Sequence, residues 1–309
     1  MTRPRIGLAL GGGGARGWAH IGVLQALEKA GFKPDILCGT SVGALVGALH
    51  LAGKLDVIED WSRSLNKLRI VGYLDFHASG GGMIGGKRLA ATMREHLGET
   101  TIESLPIPFT CVATDLVTGH EVWLDKGDLV DALRATISLP GAFAPVELDG
   151  RWLVDGALVN PLPVSLCRAM GAQIVIAVNL HADIIGRTRV AAERIPHAAG
   201  FDLLQEFPEM EHGNGHGLGA WLRGLFGRAA GSPSLFGVMV QSLNIMQDRI
   251  TRSRLAGEPP DVSIAPKIGH IGLLEFDRAA EAIAEGAAAT GRALLDIGEA
   301  ITVFARHPA

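Results

Sequence analysis

Apolar residues near the start of the chain fall into two patterns, a short continuous run and a helical repeat. Ile6–Leu10 is apolar throughout and ends at the glycines of 11–14, and Trp18, Ile21 and Leu24 then recur at the spacing of one helix face. A short apolar run is typical of a buried strand, and the wider spacing is typical of a helix. The segment therefore predicts a strand, a glycine loop and a helix.

A second strand and helix follow directly. The run at 36–38 predicts another buried strand, and Val42–Leu51 is apolar or small on every face. A helix without a polar face is expected to be enclosed in a layered fold. A buried strand and helix also explain the uncharged stretch 36–53 better than a membrane span, which needs about 20 apolar residues.

The rest of the chain continues the alternation of strands and helices. Further strands are predicted at 109–116, 120–124, Val146–Leu148, 152–154 and 174–180. Further helices are predicted at 87–96, 132–137, 236–254 and 279–302. Turn-forming segments at 117–119 and 149–150 join neighbouring strands, so we expect two β-hairpins.

This order of elements predicts an α/β fold, a three-layer α/β/α sandwich around a mostly parallel central sheet. In such folds the functional side chains lie at the carboxyl ends of the strands. We expect 1–182 to form the catalytic core. Residues 183–309 are expected to form a C-terminal loop and helical extension packed on the same domain, because the chain has no linker rich in proline or serine.

Composition limits the class of protein. Hydrophobic residues make up 48% of the 309 residues and charged residues 19%, as in a folded domain. The formal charge is -4 and no segment concentrates basic residues, so no nucleic-acid partner is expected. Cys38, Cys111 and Cys167 lie in apolar runs and are odd in number, which favours free thiols in a reducing compartment. No convincing export signal is present, so the predicted location is the cytoplasm.

A Gly-x-Ser-x-Gly pattern lies where the second strand turns into the second helix. Gly39 and Gly43 flank Ser41, and such a turn needs small neighbours and leaves the serine hydroxyl exposed at the start of a helix. The pattern suggests acyl transfer through Ser41. It is weak by itself, because the chain contains 41 glycines.

The glycine loop at 12–17 reads Gly-Gly-Gly-Ala-Arg-Gly, which matches the pattern G-x-G-x-x-G. One interpretation is a dinucleotide-binding site. Such a site requires an acidic residue at the end of the second strand, whereas Asp35 lies before the start of that strand. A second interpretation is that the loop amides stabilise the oxyanion of a tetrahedral intermediate. The third is a tight turn without a chemical role.

Asp155 follows the predicted strand 152–154 and precedes a glycine. A serine nucleophile needs a base, and an ordinary aspartate with a pKa of about 3.9 becomes one only in a sheltered site. The alternative is that Asp155 is a turn residue without a chemical role. Considered together with the serine turn and the glycine loop, Asp155 is the favoured base.

These three motifs, with Asp155 in the sequence Asp-Gly-Ala, resemble the patatin-like phospholipase family over about 6–180. Segments 82–89, 133–140 and 143–146 also resemble family patterns. The resemblance is greatest to bacterial members related to the catalytic part of neuropathy target esterase.

The resemblance implies a patatin-like fold and a Ser-Asp dyad without a catalytic histidine, which hydrolyses fatty acyl esters as a phospholipase, lysophospholipase or esterase. By position, Ser41 is the nucleophile and Asp155 the base. The oxyanion-hole amides would come from Gly12, Gly13 and Gly14, and Arg16 would steady the loop or meet a phosphate. No metal or cofactor is implied, and the implied partner is a lipid or acyl-ester substrate.

Other functions remain open at this stage. An acyltransferase would use the same acyl-enzyme and transfer it to an alcohol, and a regulatory protein would retain the fold without catalysis. His181 follows the strand at 174–180 and is the best histidine for a conventional triad, with His270 a weaker one. His212 and His216 lie in a glycine-rich loop whose geometry is poor for a metal.

The segment 218–228 combines Trp, Phe and Leu with two arginines, a pattern suited to a lipid surface. The alternative is a short helix packed on the core with its arginines in solvent. Sequence does not indicate the oligomeric state.

Overall fold

The computed structural model describes residues 3–66, 82–84, 86–183 and 235–306. The strands are β1 (Ile6–Leu10), β2 (Ile36–Thr40), β3 (Gly82–Ile84), β4 (Phe109–Asp115), β5 (Glu121–Leu124), β6 (Gly141–Phe143), β7 (Val146–Leu148), β8 (Arg151–Asp155), β9 (Ile174–Val178) and β10 (Val262–Ile264). The α-helices are α1 (Ala19–Lys29), α2 (Val42–Leu51), α3 (Leu55–Ser64), α4 (Lys87–Leu97), α5 (Leu129–Thr136), α6 (Val164–Ala169), α7 (Leu235–Gly257) and α8 (Ala279–Arg306). Short 3-10 helices occupy Gly14–Trp18, Ile102–Ser104, Gly156–Leu158 and Phe276–Arg278.

The central sheet is eight-stranded and mixed, in the order β10-β9-β1-β2-β4-β8-β7, with β5 paired to β4. From β10 to β4 every neighbouring pair is parallel. β8 runs antiparallel to both β4 and β7, and the β4–β5 pair is antiparallel. The predicted α/β sandwich is therefore confirmed, with a parallel half and an antiparallel half. Both predicted hairpins are present.

Two hydrophobic cores lie on opposite faces of the sheet, because successive side chains of a strand point to opposite faces. In β1, Leu8 and Leu10 enter one core and Ala9 enters the other. In β9, Ile176 enters the first core and Val175 the second. Both faces are therefore covered, which explains why β1 and β9 are unbroken apolar runs.

The three cysteines are free and buried. Cys111 belongs to the first core, and Cys38 and Cys167 belong to the second. Their position among apolar side chains agrees with the sequence interpretation of them as core residues.

The C-terminal region contributes both a strand and a helix. β10 pairs with β9 at the edge of the sheet, and α8 packs along α1. The two helices approach closely because each one presents a glycine to the other. A Cβ at Gly22 of α1 would overlap the Ile283 carbonyl oxygen, and a Cβ at Gly286 of α8 would overlap the Ala19 carbonyl oxygen. We therefore propose that the described part of 183–309, residues 183 and 235–306, belongs to the same domain as the described part of 1–182.

Several elements differ from the sequence prediction. The helix expected at 132–137 begins earlier, at Leu129, because the Asp128 carboxylate accepts a hydrogen bond from the Asp131 N–H and caps it at 2.9 Å. The patterns did not predict the elements α3, β3, β6, α6 and β10. Three of these, β3, β6 and β10, are three-residue strands whose pairing partners lie far away in sequence.

Within the described ranges, no helix has the length and apolarity to cross a membrane.

The α1–α8 contact gives a stability prediction. Gly22→Ala should lower the free energy of unfolding by about 1–3 kcal/mol, because the new methyl group forces the helices apart. Urea denaturation of the purified variant measures the change. Gly291→Ala is the matched control in α8, where a Cβ meets open space, and it should be neutral or stabilising by up to about 1 kcal/mol. Equal stability of the Gly22→Ala variant and the unmodified protein would contradict the close contact.

Candidate active site

Ser41 lies at the sharp turn between β2 and α2. Its backbone has φ 55° and ψ -129°, a conformation that a residue with a Cβ seldom adopts. The flanking glycines are required by close approach: a Cβ at Gly39 would overlap the Ala44 backbone, and one at Gly43 would overlap the Leu10 carbonyl oxygen. The strained turn therefore holds Ser41 at the carboxyl end of a central strand, as in a nucleophile elbow.

The structure brings Ser41 and Asp155 together. The Ser41 Oγ donates a hydrogen bond of 2.6 Å to Asp155 Oδ2, and the second carboxylate oxygen accepts the Ala157 N–H at 2.8 Å. Asp155 ends β8 and caps the short helix Gly156–Leu158. Ser41 is 6% exposed and Asp155 2% exposed, so the pair lies in a largely desolvated site.

Burial raises the pKa of Asp155 to about 6, because a carboxylate loses its hydration in the protein interior. The hydrogen bonds from Ser41 and from the Ala157 N–H favour the charged form and lower the pKa in part. Asp155 is therefore ionised at neutral pH and is a stronger proton acceptor than an ordinary aspartate.

The N–H groups of the glycine loop have different partners. The Gly12 N–H donates to the Pro161 carbonyl at 2.8 Å, so this amide is engaged and the expectation that it serves an oxyanion hole needs correction. The described residues do not engage the N–H groups of Gly13 and Gly14 in this way, and both glycines line a cavity with Ser41. Gly13 and Gly14 therefore lie at the wall of the space beside the serine, whereas the Gly12 amide is already engaged.

Asn160 and Pro161 connect the three motifs. The Asn160 carbonyl accepts the Thr40 hydroxyl at 2.9 Å, beside Ser41, and the Pro161 carbonyl accepts the Gly12 N–H at 2.8 Å. Both residues follow the Asp155 turn. One short segment thus sets the serine turn and the glycine loop in position relative to the carboxylate.

Sequence reasoning missed these positioning residues. Asn160 is fully buried, and its side-chain amide donates to Glu121 at 2.8 Å. Thr136 accepts the Ser41 N–H at 2.9 Å. The Asn-Pro dipeptide at 160–161, soon after Asp155, marks a turn and is a usable signal for Asn160. Thr136 lies on α5 and carries no local signal of its partner.

Arg16 is buried behind the glycine loop. Its Nε donates to the Ile271 carbonyl at 3.0 Å, and one terminal nitrogen donates to Asn244 Oδ1 at 2.9 Å. Burial lowers its pKa to about 10, which leaves it charged at neutral pH. Arg16 is absent from the described residues that line the cavity, so the geometry favours loop support over phosphate contact.

The histidines proposed for a triad do not meet Ser41. His181 is buried, and burial together with the Arg16 charge lowers its pKa to about 3. His270 pairs with Glu281 in an exposed position. A third histidine, which sequence reasoning passed over, supports the glycine loop: a ring nitrogen of His20 lies 2.7 Å from the Gly11 carbonyl oxygen. Among the described side chains, Asp155 is the one that hydrogen-bonds to the Ser41 hydroxyl.

The predicted histidine pair at 212 and 216 and the segment 218–228 lie outside the described residues. Within the described ranges, no group of three metal-ligating side chains comes together.

A deep apolar cleft opens beside the Ser41–Asp155 pair. The space between its walls, including the part that is open to solvent, is about 1000 Å³. Apart from Gly13, Gly14, Ser41, Asp155 and Gln247, its walls are hydrocarbon or aromatic: Trp18, Val42, Leu45, Trp61, Leu65, Leu89, Ile137, Leu139, Ala142, Phe143, Ala157, Leu273, Leu274 and Phe276. The cleft therefore combines the hydrogen-bonded Ser41–Asp155 pair with a mostly apolar wall.

A model of the patatin-like phospholipase family matches 8–168, and this chain belongs to that family. An uncharacterized NTE family protein of Mycobacterium tuberculosis is 36% identical, in an alignment that covers 95% of this chain and 92% of the relative. Neuropathy target esterase sws of Drosophila melanogaster is 35% identical over 187 residues, 58% of this chain and 13% of that much longer protein. VipD from Legionella pneumophila, a solved structure, aligns with 94% of this chain and 66% of that chain at TM-score 0.48 and 13% identity.

The resemblance stated from the motifs is therefore confirmed at the level of the family and of its branch. Membership of this family supports a lipid hydrolase function in general terms.

The buried carboxylate gives a prediction about stability and pH. Because burial raises the pKa of Asp155 from 3.8 in the unfolded chain to about 6, the cost of burying its charge is small at about pH 4 and nearly complete at about pH 8. Asp155→Asn should therefore gain stability relative to the unmodified protein between about pH 4 and pH 8, by about 2 kcal/mol. Urea denaturation at both pH values measures this difference, and a pH-independent difference would contradict the raised pKa.

Proposed function

We propose that the protein is a serine hydrolase of lipid acyl esters that uses Ser41 as nucleophile and Asp155 as general base. The observation that carries the proposal is the 2.6 Å hydrogen bond from Ser41 Oγ to a buried carboxylate. It lies at the reactive end of an apolar cleft, where a nucleophile and an acyl chain would meet. Family membership supports the same reaction class.

The first half of the proposed reaction forms an acyl-enzyme. Ser41 Oγ attacks the ester carbonyl carbon while its proton moves to Asp155 Oδ2. The N–H groups of Gly13 and Gly14 donate to the carbonyl oxygen as it becomes negatively charged, a contribution of about 3–4 kcal/mol for each donor in related sites. The intermediate collapses, and the proton on Asp155 passes to the departing alcohol.

The second half restores the enzyme. Water attacks the acyl carbonyl, gives its proton to Asp155, and the carbon–oxygen bond to Ser41 breaks with return of that proton to Oγ. A base with a pKa near 6 suits both directions of transfer, because it accepts a proton and releases it near neutral pH.

The proposed substrate is an ester of a fatty acyl chain, such as a phospholipid or lysophospholipid. The cleft walls are mostly apolar, so the burial of a hydrocarbon chain against them is favourable. We also propose a cytoplasmic location with peripheral lipid contact through 218–228. The buried free cysteines support a reducing compartment, and the Trp, Phe, Leu and Arg content of 218–228 supports lipid contact.

Replacing the two proposed catalytic residues tests the mechanism. Ser41→Ala should reduce ester hydrolysis to background, and Asp155→Asn should reduce kcat by about 10²–10⁴-fold, because attack then lacks a base. A fluorophosphonate probe followed by peptide mapping should label Ser41 in the unmodified protein.

Ser62→Ala is the control, since Ser62 is a buried serine on α3 that hydrogen-bonds to the Glu59 carbonyl. It should keep full activity. Labelling of another residue, or no labelling of folded protein, would overturn the proposal in favour of a non-catalytic role. Products measured with added glycerol distinguish hydrolysis from acyl transfer, because an acyltransferase would yield acylglycerol.

The activity should also follow the ionisation of Asp155. The base form is lost as pH falls through about 6, so kcat/KM should drop about tenfold per pH unit below that value. Initial rates with an uncharged ester between about pH 4 and pH 8, about two units on each side of that value, measure the profile. The pKa values of His20 and His181 are lowered well below 6, so neither produces this transition. A flat profile down to about pH 4 would contradict the role of Asp155.

A further inference from the structure

A second apolar cavity lies directly behind the cleft, between α2, α3 and α4. It is partly open to solvent, and its empty space, with the open part included, is about 360 Å³. Its walls are mostly hydrocarbon, and two polar side chains of α4, Thr92 and His96, stand among them: the complete lining is Leu45, Leu49, Val57, Ile58, Trp61, Leu89, Thr92, Met93 and His96. The cavity carries no nucleophile and no base of the proposed mechanism.

Three side chains line both spaces. Leu45, Trp61 and Leu89 belong to the walls of the cleft and also to those of the second cavity. They come from three different helices, and Leu45 lies one helical turn after Ser41 on α2. These three side chains, which we term the divider, therefore separate the space beside the nucleophile from the space behind it.

We propose that the divider sets the maximum length of the acyl chain that the cleft accepts, and that the second cavity receives the end of a longer chain once the divider is reduced. This inference rests on the proposed function and adds a determinant of specificity to it. The occupant is hydrocarbon, because the walls of both spaces are mostly apolar and a charged head group there would lose hydration with few hydrogen bonds in return.

The members of the divider are held to different degrees. Leu45 is 4% exposed in the core. The Trp61 ring packs edge-on against the Trp18 ring, with 5.7 Å between their centroids, and Trp18 packs edge-on against Phe276 at 5.9 Å. This cluster of three aromatic rings fixes this part of the wall. Leu89 is partly exposed on α4 and is therefore the member that a substitution changes at the least cost to folding.

The test compares acyl-length profiles with p-nitrophenyl esters from butyrate to stearate. Leu89→Ala should raise kcat/KM about tenfold for chains just longer than the wild-type optimum, the gain expected of two further buried methylene groups. Leu89→Phe should move the optimum to shorter chains. Leu97→Ala is the matched control: Leu97 is a buried leucine on the same helix that lines neither space, and its variant should keep the wild-type profile.

Opposite shifts for the two Leu89 variants support the divider, and profiles that match the Leu97→Ala profile overturn it. If no protein hydrolyses any ester, the proposed function fails, and binding then decides the inference separately. In that experiment fatty acids of increasing length displace a fluorescent fatty acid from Ser41→Ala protein, with and without Leu89→Ala. A shift of the preferred length supports the divider, and no shift overturns it.

Discussion

The site depends on one buried interaction, the hydrogen bond between the Ser41 hydroxyl and the Asp155 carboxylate. A charge in a desolvated position costs free energy, and that cost raises its pKa and makes it a useful base. Among the described residues, the hydrogen bonds to this carboxylate come from the serine hydroxyl and the Ala157 N–H. The reactivity proposed for the site and the instability of the buried charge therefore have the same physical origin.

The fold supports this pair through hydrogen bonds between threonine hydroxyls and the backbone and through one contact between backbone groups. The strained turn at Ser41 is fixed from one side by Thr136 and from the other by the Thr40 contact to Asn160. Pro161 adds the contact to the glycine loop. Because these contacts come from rigid elements and from the segment after Asp155, the three motifs keep one geometry and leave the cleft free for an apolar ligand.

The sequence predicted most of the sheet and the location of the candidate site, because both follow local rules. Buried strands such as β1 and β9 are unbroken apolar runs, and the serine turn needs the glycines that flank it. The sequence did not predict β10, whose three residues form a strand only because β9 offers a free edge. It also placed all three glycine amides at the oxyanion, whereas Gly12 binds the Pro161 carbonyl.

The sequence by itself determined the chemical groups: a serine on a glycine-flanked turn, a glycine loop, and an aspartate after a strand. Their residue types and their positions at strand ends are local properties, so spacing and turn chemistry reveal them. Only the tertiary structure decided which groups meet. It paired Ser41 with Asp155, left His181 in a separate buried position, and built the cleft from helices distant in sequence. These outcomes depend on the packing of whole elements, which no local pattern encodes.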